Sequence, residues 1–177
     1  QMHKFYDLPG GAAAGASDSK LPDMQAGWEQ MCSAVMAGLS GLNLVYETAG
    51  MHASLLGFCH ETLILDNDLL GQAQRCVRGI EVTEETLALD QMRATCLGGP
   101  GHYLGAGQTL SRMQVDYVYP ELGDRTSPKE WVERGKPDLI QKATAKKEKL
   151  LAQRATARFD AQTDREIRAR FNIHLPA

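Results

Sequence analysis

The chain has 177 residues, 43% of them apolar and 23% charged, with a formal net charge of −3. That suits one domain with its own core, or part of a larger one, and it is ordinary for a soluble globular protein rather than a disordered or fibrous chain. No apolar run approaches the roughly 20 residues a membrane-crossing helix needs, and the opening QMHKFYDLP lacks the basic-then-apolar layout of a signal peptide.

Gln1 rather than Met begins the chain, which points to a piece of a longer polypeptide. The first distinctive stretch is GGAAAGASDSK, residues 10–20. Small side chains make a slim strand with room in front of it, for a ligand or for another backbone. The stretch ends in Ser17, Asp18, Ser19 and Lys20. From Asp23 to Ser40, Trp28, Met31, Cys32, Val35, Met36 and Leu39 recur with helical spacing and predict a helix with that stripe turned to the core. Pro22 suits its first turn, Asp23 the positive end of its dipole, and Gly41 its stop. LNLVYE (42–47) reads as a short buried strand, and TAGMHASLLGF after it as a loop. Residues 61–79 form a second amphipathic helix with Leu65, Leu69, Ala73, Cys76 and Val77 on one face. Thr83 caps a third, running to about Leu97.

GGPGHYLGAG (98–107) is a Gly-rich break around His102 and Tyr103, followed by a short helix from Thr109. Ser127-Pro128 opens another helix. A Lys/Ala-rich helix is expected from about Asp138 to Phe159, and a last one over Asp164–Phe171. The early strand–helix–strand–helix order predicts an α/β fold: a parallel sheet with crossover helices, whose chemistry lies at the carboxyl ends of the strands. Ser17–Lys20 is then one such loop and Glu47–Ser54 the next. Residues 1–126 and 127–177 are expected to differ, the second being a helical basic tail.

Residues 1–128 hold 7 basic and 15 acidic side chains, and residues 129–177 hold 12 and 7. In the tail, Lys and Arg alternate with Glu, Asp and Gln and aromatics are few. This favours a solvated helical face, or a tail docked on an acidic body, over a nucleic-acid footprint. The four cysteines have no metal-ligand or C-x-x-C spacing, and Cys32 and Cys76 fall on apolar stripes. They are expected to be reduced core thiols of a cytoplasmic protein. The histidines share no ligand spacing either, so no protein-bound metal is expected.

Four blocks taken in order carry a resemblance: GASDSKLPDMQAGWEQ, AGLSGLNLVYETAGM, LILDNDLLGQAQRCVRGIEVTEETLALD and GGPGHYLGAGQTL. From about Gly10 to Trp131 the chain resembles the trimethylamine methyltransferase family. The resemblance implies the C-terminal part of a TIM (β/α)8 barrel followed by C-terminal helices. It also implies methyl transfer from a methylated amine to the cobalt of a corrinoid carried on a separate small protein. On that reading this chain alone binds no cofactor, and a barrel cut open favours self-association. Archetypal members contain pyrrolysine, which these residues lack, and relatives without it include enzymes that demethylate quaternary amines such as glycine betaine. A quaternary ammonium leaves as a neutral amine without prior activation, so a betaine fits.

Such a site needs an aromatic wall for the cation, worth about 0.5–2 kcal/mol per ring, and charged groups to balance and anchor the substrate. The wall candidates are Tyr46, Phe58 and Tyr103. Glu47 and His52 are the catalytic candidates; Ser17, Asp18, Tyr46, His102 and Tyr103 are the binding candidates. Two roles fit Asp18, holding substrate or capping the following helix, and capping fits Ser17 and Ser19 equally well. The competing reading is a non-catalytic helical interaction or nucleic-acid-binding module that acts through the basic tail.

Overall fold

The computed structural model describes residues 1–153 and 159–173. Among them the chain is mainly helical with few strands, and it divides into the compact units Gln1–Lys147 and Glu148–Ala177. A one-turn helix α1 (Met2–Phe5) leads into strand β1 (Gly11–Ala13), helix α2 (Met24–Leu39) and strand β2 (Leu44–Tyr46). β1 and β2 are parallel, with Gly11, Ala12 and Ala13 opposite Leu44, Val45 and Tyr46. Parallel neighbours need a crossover, and α2 is that crossover. The expected strand–helix–strand unit is therefore present. Among the described residues β1 has no second partner strand, so its far edge is open.

The segment read as a loop contains a small antiparallel hairpin, β3 (Met51–His52) with β4 (Gly57–Phe58). Helix α3 (His60–Arg78) follows and packs on α2. The contact is close because small residues face it: Ala34, Ala37 and Ala73 are buried, and a Cβ on Gly38 would stand 2.4 Å from a Val77 methyl. Polar residues share this core, with Gln30, Thr62 and Asp66 buried among the alanines.

The expected apolar stripe of α2 is corrected by this packing. Trp28, Met36 and Leu39 are exposed, and so is Cys32. The helix turns its Ala/Gln face to α3 instead, because only small side chains fit that approach. Cys76 and Cys96 are exposed too and Cys59 is half-buried, so the thiols are free but are not core residues. The capping expectation also changes: Asp23 is the N-cap of α2, its carboxylate accepting from Ala26 N–H at 3.0 Å. Ser17, Asp18 and Ser19 do not cap it.

The helix expected from Thr83 is two: α4 (Glu84–Leu87), capped by Thr83, and α5 (Leu89–Cys96), separated by Ala88 in a left-handed conformation. Helices α6 (Gly107–Asp116) and α7 (Pro128–Glu133) follow, the latter with Ser127 as N-cap and Pro128 in its first turn. Helix α8 (Leu139–Ala152) carries the lysines; its expected continuation through residues 154–158 lies outside the described residues. The second unit holds the end of α8 and helix α9 (Ala161–Arg170), capped by Asp160.

Candidate functional site

The first loop is built from small residues for a local reason. Gly15 has φ +87, and a Cβ there would come within 2.6 Å of the Thr48 carbonyl oxygen. The slim stretch therefore lets the backbone after β1 lie against the backbone after β2. Gly15 N–H then donates to Ser33 Oγ on α2 at 2.9 Å. Glu29, one turn earlier on α2, accepts from the buried Ser17 hydroxyl at 2.6 Å and from Asp18 N–H at 2.9 Å. These bonds, the Ser17 hydroxyl foremost, hold the Glu29 carboxyl below the usual carboxylate range.

The second loop is zipped to the first. Ser17 N–H donates to Met51 O (3.1 Å), Ala53 N–H to Ser19 O (3.0 Å) and Ser54 N–H to Ser17 O (3.3 Å). The Ser54 hydroxyl donates to Asp18 Oδ1 at 2.6 Å. His52 is 4% exposed. Its Nδ1 lies 3.2 Å from Ser19 O and its Nε2 2.8 Å from Thr62 Oγ1. A carbonyl oxygen only accepts, so Nδ1 donates to it and Nε2 pairs with the hydroxyl. Both ring nitrogens are thus engaged in joining the two loops to α3.

Backbone strain gathers on this second loop. Glu47 (φ 59), Ala53 (φ 50), Ser54 (φ 55) and Leu55 (φ 69) are all left-handed without being glycine. Each such residue costs about 1–2 kcal/mol, and conformations of this kind persist where the surroundings over-determine them.

Ser17, Asp18, Glu29 and Ser54 border an open cleft of ≈ 650 Å³ beside β1, with Trp28 and Cys32 of α2 on its wall. Trp28 and Glu29 are cleft residues that the sequence pattern does not single out: helical spacing puts Trp28 on the apolar stripe, and Glu29 stands in no motif. The signal that Trp28 faces out is the alanine spacing on the opposite side of α2, which marks the close helix contact. Tyr46 ends β2 and Glu47 follows it, both exposed and away from the cleft lining, and the Tyr46 ring lies over β1, 3.5 Å from where a Gly11 Cβ would sit. Lys20 is exposed and donates to Asp18 O, while His60 stands edge-on to the exposed Phe58 ring. Tyr103 is not brought to this cleft. It borders a different one, of ≈ 430 Å³, with Arg75 and Arg112, and its hydroxyl lies 3.6 Å from Cys96 Sγ. His102 is exposed in the same Gly-rich segment and borders neither. Residues 98–106 connect α5 to α6 rather than following a strand, which is why they do not reach the strand ends.

Among the described residues no three His, Cys, Asp or Glu side chains are grouped to hold a metal ion, and no helix is long and apolar enough to cross a membrane. Three lysines of α8 pair with carboxylates of the first unit. Lys142 pairs with Asp124 (2.9 Å), Lys146 with Glu121, and Lys147 with Glu61 (2.5 Å). Those three cations are thus engaged on the protein's own carboxylates.

Comparison with known proteins is consistent across the chain. A family profile described as trimethylamine methyltransferase (MTTB) matches residues 1–173. The chain is 35% identical over 170 residues to trimethylamine methyltransferase MttB of Methanosarcina barkeri strain Fusaro, covering 96% of this chain and 33% of that protein. It is 29% identical over 169 residues to glycine betaine methyltransferase of Desulfitobacterium hafniense strain Y51, covering 96% and 35%. The chain spans about a third of the length of the curated relatives it matches.

Proposed function

Because the chain belongs to the trimethylamine methyltransferase family, we propose that it is part of an enzyme that takes a methyl group from a methylated amine, a betaine or another quaternary amine foremost. The acceptor in this reading is the cobalt of a corrinoid carried by a separate small protein. The chain contributes the last strands and C-terminal helices of a TIM barrel, in the cytoplasm. The observation that carries the reading is the zipped pair of loops at the carboxyl ends of parallel strands, opening on a cleft with an indole and carboxylates.

A methylated ammonium needs those groups. Trp28, 59% exposed, offers an aromatic face, and Asp18 offers a negative charge fixed by Ser54. Glu29 and Ser17 hold the backbone that carries Asp18, and Tyr46 and Glu47 flank the neighbouring strand end. His52, with both ring nitrogens engaged, acts as a positioning residue rather than as a proton carrier. Leu56, 91% exposed at the hairpin tip, and Phe58 give an apolar face suited to the flat macrocycle of a corrinoid. When bound, that group supplies the nucleophilic metal that accepts the methyl. The quaternary nitrogen leaves neutral and needs no proton, so the side chains here work by orientation and charge.

The test is methylcobalamin formation by the complete polypeptide with cobalt(I) corrinoid and a panel of methylated amines. Betaines are expected to be demethylated, and Trp28→Ala and Asp18→Asn to raise KM by about tenfold each, as the loss of one cation contact implies. No methyl transfer from any quaternary or tertiary amine overturns the reading.

A further inference from the structure

Asp66 is a buried carboxyl group that the cleft does not use. It lies on the face of α3 that meets α2, 1% exposed, and its Oδ2 accepts the Gly50 N–H at 2.7 Å. Gln30 of α2, 2% exposed, donates to it at 3.4 Å, and in the amide orientation that satisfies its neighbours Gln30 donates to Asp66 Oδ1 and Ala26 O. One turn before Asp66 on the same face of α3, Thr62 meets the His52 ring. The stretch between Glu47 and Leu55 is therefore held to one helix at Gly50 and at His52. It is also the stretch with four left-handed non-glycine residues, and Gly50 itself (φ +75) is pressed so close that a Cβ would stand 2.7 Å from the Phe58 ring.

We propose that Asp66 is a positioning residue: its carboxylate, with Thr62 one turn away, pins the strained Glu47–Leu55 loop to α3 and so fixes where Glu47, His52 and Ser54 stand at the strand ends. The proposal rests on the reading of that loop as part of the methyl-transfer site. Strain of this kind relaxes unless several contacts oppose it. A hydrogen bond to an ionised carboxylate is roughly twice as strong as a neutral one, and Asp66 makes one to this loop at 2.7 Å.

Burial pushes the Asp66 carboxyl up to about 6, against the opposing pull of the Gly50 N–H. The other titratable groups around it are committed elsewhere. His52 is bound to Ser19 O and Thr62. Asp23 and Asp68, which border the same ≈ 270 Å³ cavity, accept from Ala26 N–H and from the N–H groups of Glu121, Leu122 and Gly123.

The experiment is amide hydrogen exchange at Gly50 together with the imidazole nitrogen resonances of His52, recorded on the chain and on its Asp66→Leu and Asp66→Asn variants. Asp66→Leu is expected to speed Gly50 exchange by about tenfold or more and to move both His52 resonances, with Ala34 and Ala73 amides unchanged. Asp66→Asn keeps an oxygen acceptor of the same shape and restores Gly50 protection. In the unsubstituted chain the Gly50 amide shift titrates near pH 6, and in Asp66→Asn it does not. Unchanged Gly50 and His52 signals in Asp66→Leu overturn the proposal. If that variant does not fold, Asp66→Ala is read in its place, and unchanged Gly50 exchange and His52 resonances there overturn it. None of these readouts involves methyl transfer, so failure here and failure of the functional reading are separate events.

Discussion

At Gly15 the backbone turns at φ +87 with the Thr48 carbonyl where a side chain would begin. Gly15→Ala combines a left-handed alanine with a backbone clash, and roughly 2–4 kcal/mol of lost stability is expected in urea unfolding. Glu29 ties Ser17 and Asp18 to α2, and Glu29→Ala is expected to release the amide protection of Asp18 while α2 stays folded, as hydrogen exchange would register. The lowered carboxyl of Glu29 stabilises the fold above its ordinary value of 4.5, and that contribution is lost as pH falls through the lowered value. Sequence showed the caps Thr83 and Ser127 because a cap and its helix are adjacent. It did not show Glu29, whose partners lie 11 and 12 residues back, nor Asp66, whose partner Gly50 lies 16 residues away.

Among elements, the parallel β1–β2 pair and the crossover α2 were legible from alternating apolar runs and glycines. The orientation of α2 was not. Periodicity marks a stripe but not its neighbour, and here a tight contact selected alanines while the large residues face out. The hairpin between β2 and α3 was hidden because its strands are two residues each. The 121–123 turn is clamped to α3 by Asp68, which accepts from the N–H groups of Glu121 (3.0 Å), Leu122 (2.7 Å) and Gly123 (3.1 Å). Burial alone would raise this carboxyl, but the three donors, Leu122 first, hold it below its usual value. Asp68→Ala is expected to cost about 1–3 kcal/mol and to loosen Leu122, itself buried; thermal unfolding and exchange at Leu122 would measure both.

For the whole molecule, two carboxyls give opposite pH dependences. Asp66, raised to about 6, favours the fold most below its unfolded value of 3.8, and this is lost as pH rises through 6. Glu61, lowered to about 2 chiefly by its bond to Lys147, stabilises above its ordinary value of 4.5 and loses this toward pH 2. Asp66→Asn is expected to flatten the decline between pH 4 and 6 and to add roughly 1–3 kcal/mol at neutral pH, measured by unfolding across that range. Trp28, Met36 and Leu39 stand exposed on α2, and among the described residues the far edge of β1 is unpaired, two features that water does not suit. Sedimentation of the chain is expected to show concentration-dependent association that Trp28→Lys with Leu39→Lys reduces; a monomer at every concentration would refute it.

The turn Ala53–Leu55 has a consequence for chirality. Its three residues occupy the region that is the low-energy well of a mirror-image amino acid. A D-alanine at position 53, which would break most folds, is expected to relieve this one. Cys59 is a suitable junction for joining a synthetic N-terminal segment, so the turn can be rebuilt with inverted handedness and the same side chains.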